Sequence, residues 1–250
     1  MITISKKFKK VASVSLAAAL LVTGIAVPKK LQKVDAASAI DLSKAQEDAD
    51  AVVQAWYPGA RGGKDVADIL FGDVSPSGKL PVTFYQSADD LPDFKDYSMK
   101  NRTYRNFTGT PLYPFGYGLT YGDCYVKPDH HLKVDNSKDK DLFDAELTVT
   151  VANDGKVDTD EVVQVYIKDL DSEFATTNPS LCGFKRVHVP AGSQTEVTLT
   201  LDKRAFTSVN EDGERKVFGK NFKLYVGCQQ PGKRSEELTG HECVSIDVQL

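Results

Sequence analysis

The chain has 250 residues, 41% of them hydrophobic, which is enough for one or two domains with packed cores. Its 31 Lys and Arg against 35 Asp and Glu leave a net charge of −4, and no basic patch of the kind that holds nucleic acid.

Lysines cluster only at the front, in Lys6-Lys7 and Lys9-Lys10, directly before the apolar run Val11 to Val27. A basic region followed by an apolar one predicts a secretory signal peptide over residues 1–36, and with it a secreted, extracellular chain. The alternative is an uncleaved membrane anchor. A spanning helix needs about 20 apolar residues, and this run is broken by Ser13, Ser15, Thr23 and Gly24. Val34-Asp35-Ala36 and Gly24-Ile25-Ala26 both satisfy the small-residue rule for cleavage.

Residues 39–90 read as a small α/β unit. Ser43-Lys44-Ala45-Gln46 has the form of a capping box. The short apolar run Ala51 to Ala55 then ends in a Pro58-Gly59 turn, as a buried parallel strand would. Val66, Ile69 and Leu70 recur at helical spacing, with Gly72 placed to end the helix. Leu80 to Tyr85 returns to strand. Such a strand–helix–strand unit suits the edge of a parallel sheet, yet a parallel sheet requires cover on both faces, which some 45 residues cannot supply.

Residues 91–126 form a connector containing Phe94, Tyr97, Tyr104, Phe107, Tyr113, Phe115, Tyr117 and Tyr121. So many rings in one irregular segment predict a belt that buries surface against a neighbour. Gly116 and Gly118 flank Tyr117 in a turn; the run lacks the strand and the Lys-Ser/Thr ending of a phosphate loop.

From residue 127 to 250 the pattern becomes strands separated by turns. The expected strands are His131 to Val134, Phe143 to Val151, Glu161 to Lys168, Gly183 to Val189, Thr195 to Leu201, Val217 to Val226 and Cys243 to Val248. Leu147, Val149 and Val151 alternate with Thr148 and Thr150, the period-2 signature of a sheet with one buried face. Asn153-Asp154-Gly155, Pro190-Ala191-Gly192 and Glu211-Asp212-Gly213 supply turns. Seven strands at this spacing predict a two-sheet sandwich, so the fold class is mainly β: an immunoglobulin-like β-sandwich preceded by a small α/β piece.

Four cysteines in an exported chain leave two readings, disulfides or free thiols. Cys228 follows one predicted strand and Cys243 opens the next, which would set them across the mouth of a hairpin and allow a bond. Cys-x-x-Cys spacing is missing, and His130, His131, His188 and His241 stand without partners in spacing, so no metal site or cofactor is expected.

Two longer runs carry a resemblance. Ala55-Trp56-Tyr57-Pro58-Gly59 with Gly62-Gly63, Ala67 to Asp73 and Pro76 to Phe84 resembles the close of the second domain in family 3 glycoside hydrolases, the β-glucosidase and β-xylosidase type. The similarity continues through Lys100 to Phe107 and Pro111 to Tyr121. It then runs into Glu161 to Tyr166, Gly183 to Val187 and Pro190 to Gly192, which are similar to that family's fibronectin type III-like domain.

The resemblance implies that the barrel nucleophile and the acid/base glutamate belong to other parts of such an enzyme, and that no principal catalytic residue lies here. Trp56, Arg102, Tyr104 and Arg105 would then lie near a sugar cleft, with packing and ion pairing as their plainer duties. Cys182 departs from the family's usual polar residue and leaves a bond to Cys124 open. The expected protein is β-glucosidase-like in family, bound to carbohydrate metabolism through O-glycosyl hydrolysis, and inactive alone. Its expected partners are a barrel-bearing glycosidase chain or carbohydrate, with a membrane only if the leader stays uncleaved. A stand-alone carbohydrate-binding or wall-associated sandwich module is the alternative.

Overall fold

A computed structural model describes Leu42 and residues 49–250 apart from Phe94, Asn136 and Lys140. The expected leader and the Ser43–Gln46 capping box lie outside the described residues.

The segment ahead of the sandwich contains helix α1 (Gly62–Phe71), a 3-10 turn (Ala88–Asp90) and the single-turn helix α2 (Thr103–Asn106). Helix α1 turns Val66 and Ile69 inward and ends on Gly72 in the left-handed region, as its sequence predicted. The two expected parallel strands do not form. Ala51 to Ala55 has no strand partner, and Leu80 to Tyr85 contributes one isolated antiparallel bridge, Phe84 to Tyr113. A strand exists only by hydrogen bonding to a neighbour. Among the described residues the neighbour of Leu80 and Phe84 is the connector, through Leu80 N to Tyr117 O and Phe84 N to Tyr113 O, each 2.9 Å.

The sandwich begins earlier than the sequence pattern indicated. Strands β1 (Cys124–Asp135), β2 (Asp144–Asn153) and β5 (Ser193–Thr200) form one sheet in the order β1-β2-β5. The other contains β3 (Thr159–Asp169), β4 (Ser180–Val189), β8 (Asn221–Gly227) and β9 (Val244–Gln249) in the order β4-β3-β8-β9. A short hairpin, β6 (Ser208–Val209) with β7 (Arg215–Lys216), sits apart, and a further helix α3 (Lys233–Thr239) links β8 to β9. All pairings are antiparallel.

Alternation decides which face is core. Ala145, Leu147, Val149 and Val151 of β2 meet Val163, Val165 and Ile167 of β3, with Phe143, Phe206 and Phe222 closing the layer. The expected strand Val217 to Val226 is shortened at its start, because after β7 the chain joins a sheet only at Asn221 and then continues to Gly227. Strand β1 carries Pro128 within its irregular register between Val126 and His130, which an edge strand tolerates because its outer amides have no partner to lose.

Strand β3 is covered on both sides. Its second face presents Gln164 and Tyr166, both buried, to the connector. Gln164 Nε2 donates to Gly116 O (3.0 Å) and Cys228 O (3.1 Å), and Tyr166 Oη donates to Gln164 Oε1 (2.6 Å). Gly116, at φ 72°, has no room for a side chain: a Cβ there would lie 2.2 Å from Gln164 Oε1. Tyr104 and Phe115 of the belt pack on Tyr166 of the sandwich, whereas Phe107, Tyr113 and Tyr117 are buried against Tyr85, Phe84 and Leu80 ahead of it, and Tyr97 is left 87% exposed.

The Cys228–Cys243 disulfide is not formed, and all four thiols are free. The register explains it. Val226 pairs with Val244, so Cys243 stands opposite Gly227, and Cys228 points to the opposite face of the sheet from Cys243. Cys228 sits in the sandwich core, while Cys243 Sγ donates to Gln229 O (3.4 Å) on the other side.

Candidate functional site

The residues singled out in the sequence fall into two groups. Trp56 lies in an aromatic cluster with Phe84 (centroids 6.2 Å apart), which continues through Tyr113 to Tyr117. Its backbone is in the left-handed region at φ 53°, a costly conformation for a bulky side chain. Its indole Nε1–H is buried with no acceptor among the described residues, and Thr83 Oγ1 and Tyr113 Oη are likewise unpartnered. Each such group forgoes about 1–3 kcal/mol.

Arg102, Tyr104 and Arg105 form the second group, on and beside α2. Tyr104 stacks on Phe115 at 4.1 Å and meets Tyr166 edge-on, while its hydroxyl accepts from Leu181 N (3.1 Å). Asn178, in the β3–β4 connection, donates from Nδ2 to Tyr104 O (2.9 Å) and Phe107 O (2.8 Å), and from its backbone N to Arg105 O (2.7 Å). These bonds pin α2 to the sandwich. Arg102 donates Nη2 to the carbonyls of Asp93 and Asp96, and the Arg105 guanidinium sits 5.8 Å from the Tyr104 ring centre. No hydrogen bond or ring contact among the described residues joins this group to Trp56.

Four carboxylates ahead of the sandwich, Asp68, Asp90, Asp93 and Asp96, are engaged locally. Asp68 pairs with Lys64 one helical turn away. Asp90 caps the 3-10 turn by accepting from Ser87 N (3.1 Å). Asp93 and Asp96 accept from Lys95 N and Ser98 N, each at 2.8 Å. The Ser98 backbone and hydroxyl hold the Asp96 carboxyl below its usual range, opposite to the direction that makes a general acid. No set of three or more His, Cys, Asp or Glu among the described residues is placed to hold a metal ion.

One buried ion pair escaped the sequence reading. Lys79 Nζ lies 2.7 Å from Glu161 Oε1 on β3 and 2.6 Å from Gly118 O. Lys79 is 6% and Glu161 3% exposed, so both charges are out of water. Burial raises the Glu161 carboxyl and the nearby Lys79 opposes that rise. Gly118 is bare because a Cβ would come within 2.1 Å of Gly78 O. Ser75 Oγ adds a second tie to Thr159 Oγ1 at 2.6 Å, and Arg234 of α3 a third, through Nε to Pro111 O (3.2 Å). Lys79 follows the turn residues Pro76-Ser77-Gly78, which give no sign of burial; Glu161 is the available signal, a charge in a strand whose alternate positions, Thr159 and Val163, are buried.

The glycosyl hydrolase family 3 C-terminal domain model matches residues 25–121, and the fibronectin type III-like domain model matches residues 161–230. A xylan 1,4-beta-xylosidase of Xylanibacter ruminicola is 41% identical over 204 residues, covering 81% of this chain and 23% of that protein. A periplasmic beta-glucosidase of Salmonella typhimurium is 30% identical over 200 residues, covering 74% of this chain and 26% of that protein. In structure, the beta-D-glucoside glucohydrolase of Trichoderma reesei superposes with TM-score 0.69 at 26% identity, covering 84% of this chain and 32% of that one. The chain thus spans about a quarter of the length of the curated relatives it matches. Over these residues it belongs to the C-terminal region of glycosyl hydrolase family 3, with that family's fibronectin type III-like domain.

Proposed function

We propose that these residues are a non-catalytic module of an exported β-glycosidase, one that completes a barrel-bearing glycosidase chain and hydrolyses nothing alone. The observation that carries this reading is the Trp56 side of the molecule. The Trp56 backbone is strained, three buried polar atoms, Trp56 Nε1, Thr83 Oγ1 and Tyr113 Oη, have no partner among the described residues, and Tyr57, next to Trp56 in the chain, is 98% exposed. An exposed aromatic ring beside a strained backbone calls for a further surface to pack on it, and the unpaired polar atoms beneath show a segment whose own packing is incomplete. Asp68, Asp90, Asp93 and Asp96 are bound into a helix and turns. The relatives' names supply the substrate class, β-xylosides and β-glucosides. Export follows from the basic-then-apolar leader, and mass spectrometry of the mature chain should find a start near residue 27 or 37.

The test mixes the purified chain with a family 3 glycosidase truncated before its own tryptophan turn, read by light scattering and by nitrophenol release from aryl β-xylosides and β-glucosides. The expected result is no release by the chain alone, and a stable complex with release on mixing. Turnover by the chain alone, lost in Asp68→Asn, Asp73→Asn or Asp93→Asn, would overturn the proposal. A strictly monomeric chain indifferent to the barrel would favour a stand-alone carbohydrate-binding or wall-associated module, a reading supported by the sandwich's complete pairing within one chain.

A further inference from the structure

Strand β3 has two chemically different ends. Glu161 closes one with Lys79, and Asp169, eight residues on and about 26 Å away along the strand, opens the other onto a cavity. The cavity has a volume of about 440 Å³, within the range that takes a sugar-sized ligand. Its walls come from the end of β3, the connection to β4, the loop after β5, the β6–β7 hairpin and the Arg105 side chain.

Three arginines line it: Arg105, Arg204 and Arg215. Among the described residues none of them forms an ion pair with a carboxylate; Arg215 Nη1 donates only to Thr207 Oγ1 (3.1 Å) and Arg105 Nε only to Tyr104 Oη (3.4 Å). Asp169 is 9% exposed; its Oδ1 accepts from Asp171 N and Ser172 N, both at 3.0 Å, while its Oδ2 is buried without a donor among the described residues. Asp202 shares the wall and uses Oδ1 on Arg204 N (2.7 Å). Phe174, held edge-on by Phe218 at 4.9 Å, adds an aromatic surface.

We propose that this cavity binds an acidic sugar, a uronate unit, independently of any role the chain plays beside a barrel. The guanidinium forks match a carboxylate, which they take in pairs of hydrogen bonds. Asp202, exposed on the wall, accepts hydrogen bonds, which a sugar's several hydroxyls provide and which acetate, having no O–H, does not. Phe174 suits the C–H face of the ring. A neutral sugar would leave the arginines without a counter-charge, and a bare anion would face two carboxylates in a space far larger than itself.

The full chain would be titrated with D-glucuronate, D-glucose, acetate and inorganic phosphate, following backbone amide shifts by NMR. Glucuronate should bind saturably at millimolar concentration, at least about tenfold tighter than glucose or acetate, with shifts centred on 169–182 and 202–215. Affinity should fall with added salt. Arg204→Ala with Arg215→Ala should abolish the preference for glucuronate, and Asp202→Asn should weaken both sugars; these exposed positions leave the fold intact by circular dichroism. Should Asp202→Asn perturb the loop, the arginine pair alone decides. Equal binding of glucose, equal binding of acetate or phosphate, shifts located elsewhere, or no saturable binding would each overturn the proposal.

Discussion

The sandwich and the segment in front of it solve the same problem in opposite ways. Strands β1 to β5, β8 and β9 satisfy their backbone groups in long antiparallel ladders and bury a single contiguous core from Cys124 to Ile246. Residues 49–123 have one ten-residue helix, one isolated bridge and two small clusters, around Leu80 with Tyr117 and around Val66 with Ile69. What holds them to the sandwich is a set of local ties: Lys79 to Glu161, Ser75 to Thr159, Gln164 to Gly116, Arg234 to Pro111, Asn178 to the backbone of α2, and the rings of Tyr104 and Phe115 on Tyr166. The difference teaches that antiparallel pairing can finish a domain within one chain, whereas a piece of a parallel layer borrows its order from whatever it leans on.

Hydrogen exchange gives the largest expected contrast. Amides of β2, β3 and β8 should exchange only by global unfolding, and those of Ala51 to Tyr57 by local opening. Their protection should differ by at least about three orders of magnitude. Uniform slow exchange across both regions in a monomer would break the comparison, because the front segment would then own a complete core.

The thiols test the closed half. Burial pushes the thiols of Cys124, Cys182 and Cys243 up to about 12, and raises Cys228 as well. A thiol at its ordinary value of about 8.5 is roughly a quarter ionised at pH 8, while one near 12 is ionised to about one part in ten thousand. Native protein should therefore react with a disulfide reagent more than about a thousandfold slower than a free cysteine, and urea-unfolded protein should react at the ordinary rate. Rapid labelling of Cys124, Cys182 or Cys228 in the native state would show that the sandwich opens locally there; Cys243, half-buried outside the core, should be the first of the four to react.

Lys79→Met measures the strongest tie. It strands the Glu161 carboxylate in a buried place and should cost about 3–5 kcal/mol, whereas the double change Lys79→Met with Glu161→Leu should restore most of that loss. Urea melts of the three variants form the cycle. A single variant that melts like wild type would mean that the pair is open to water and is not what joins the two regions.

The sandwich was legible because its physics is local: alternation in Leu147 to Val151, turn residues at Asn153 to Gly155, and enough strands to close two sheets. Its misses have local causes too. Helix α3 hides in seven residues, Lys233 to Thr239, between Gly232 and Gly240, too short for a periodic pattern, although a Gly240 in the left-handed region is the usual stop. Strand β1 was clipped at His131 because Pro128 reads as a break. In the front segment the sequence carried the imprint of a sheet, apolar runs at 51–55 and 80–85, while the described residues provide no sheet for them to join. Nor could spacing reveal the arginine-lined cavity, whose walls are drawn from positions 105 to 215 and meet only after the sandwich has folded.

The smallest expected effect concerns Tyr104, which belongs to the front segment by sequence and to the sandwich by contact. Its ring is fixed by Phe115 and Tyr166, so Tyr104→Phe keeps the packing and removes only the hydroxyl, which accepts from Leu181 N (3.1 Å) and, at 3.4 Å, from the exposed Arg105 Nε. One neutral hydrogen bond contributes about 0.5–1.5 kcal/mol, and the loss should sit at the lower part of that range because the Leu181 amide is half-buried, within reach of water. Tyr104→Ala also removes the stack and should cost about 2–3 kcal/mol, below the loss for a fully buried aromatic because Tyr104 is half-buried. The two melts separate a positioning ring from a ligand-facing hydroxyl. A Tyr104→Phe change that leaves stability untouched and weakens sugar binding or turnover in the assembled enzyme would move Tyr104 from the belt to the cleft.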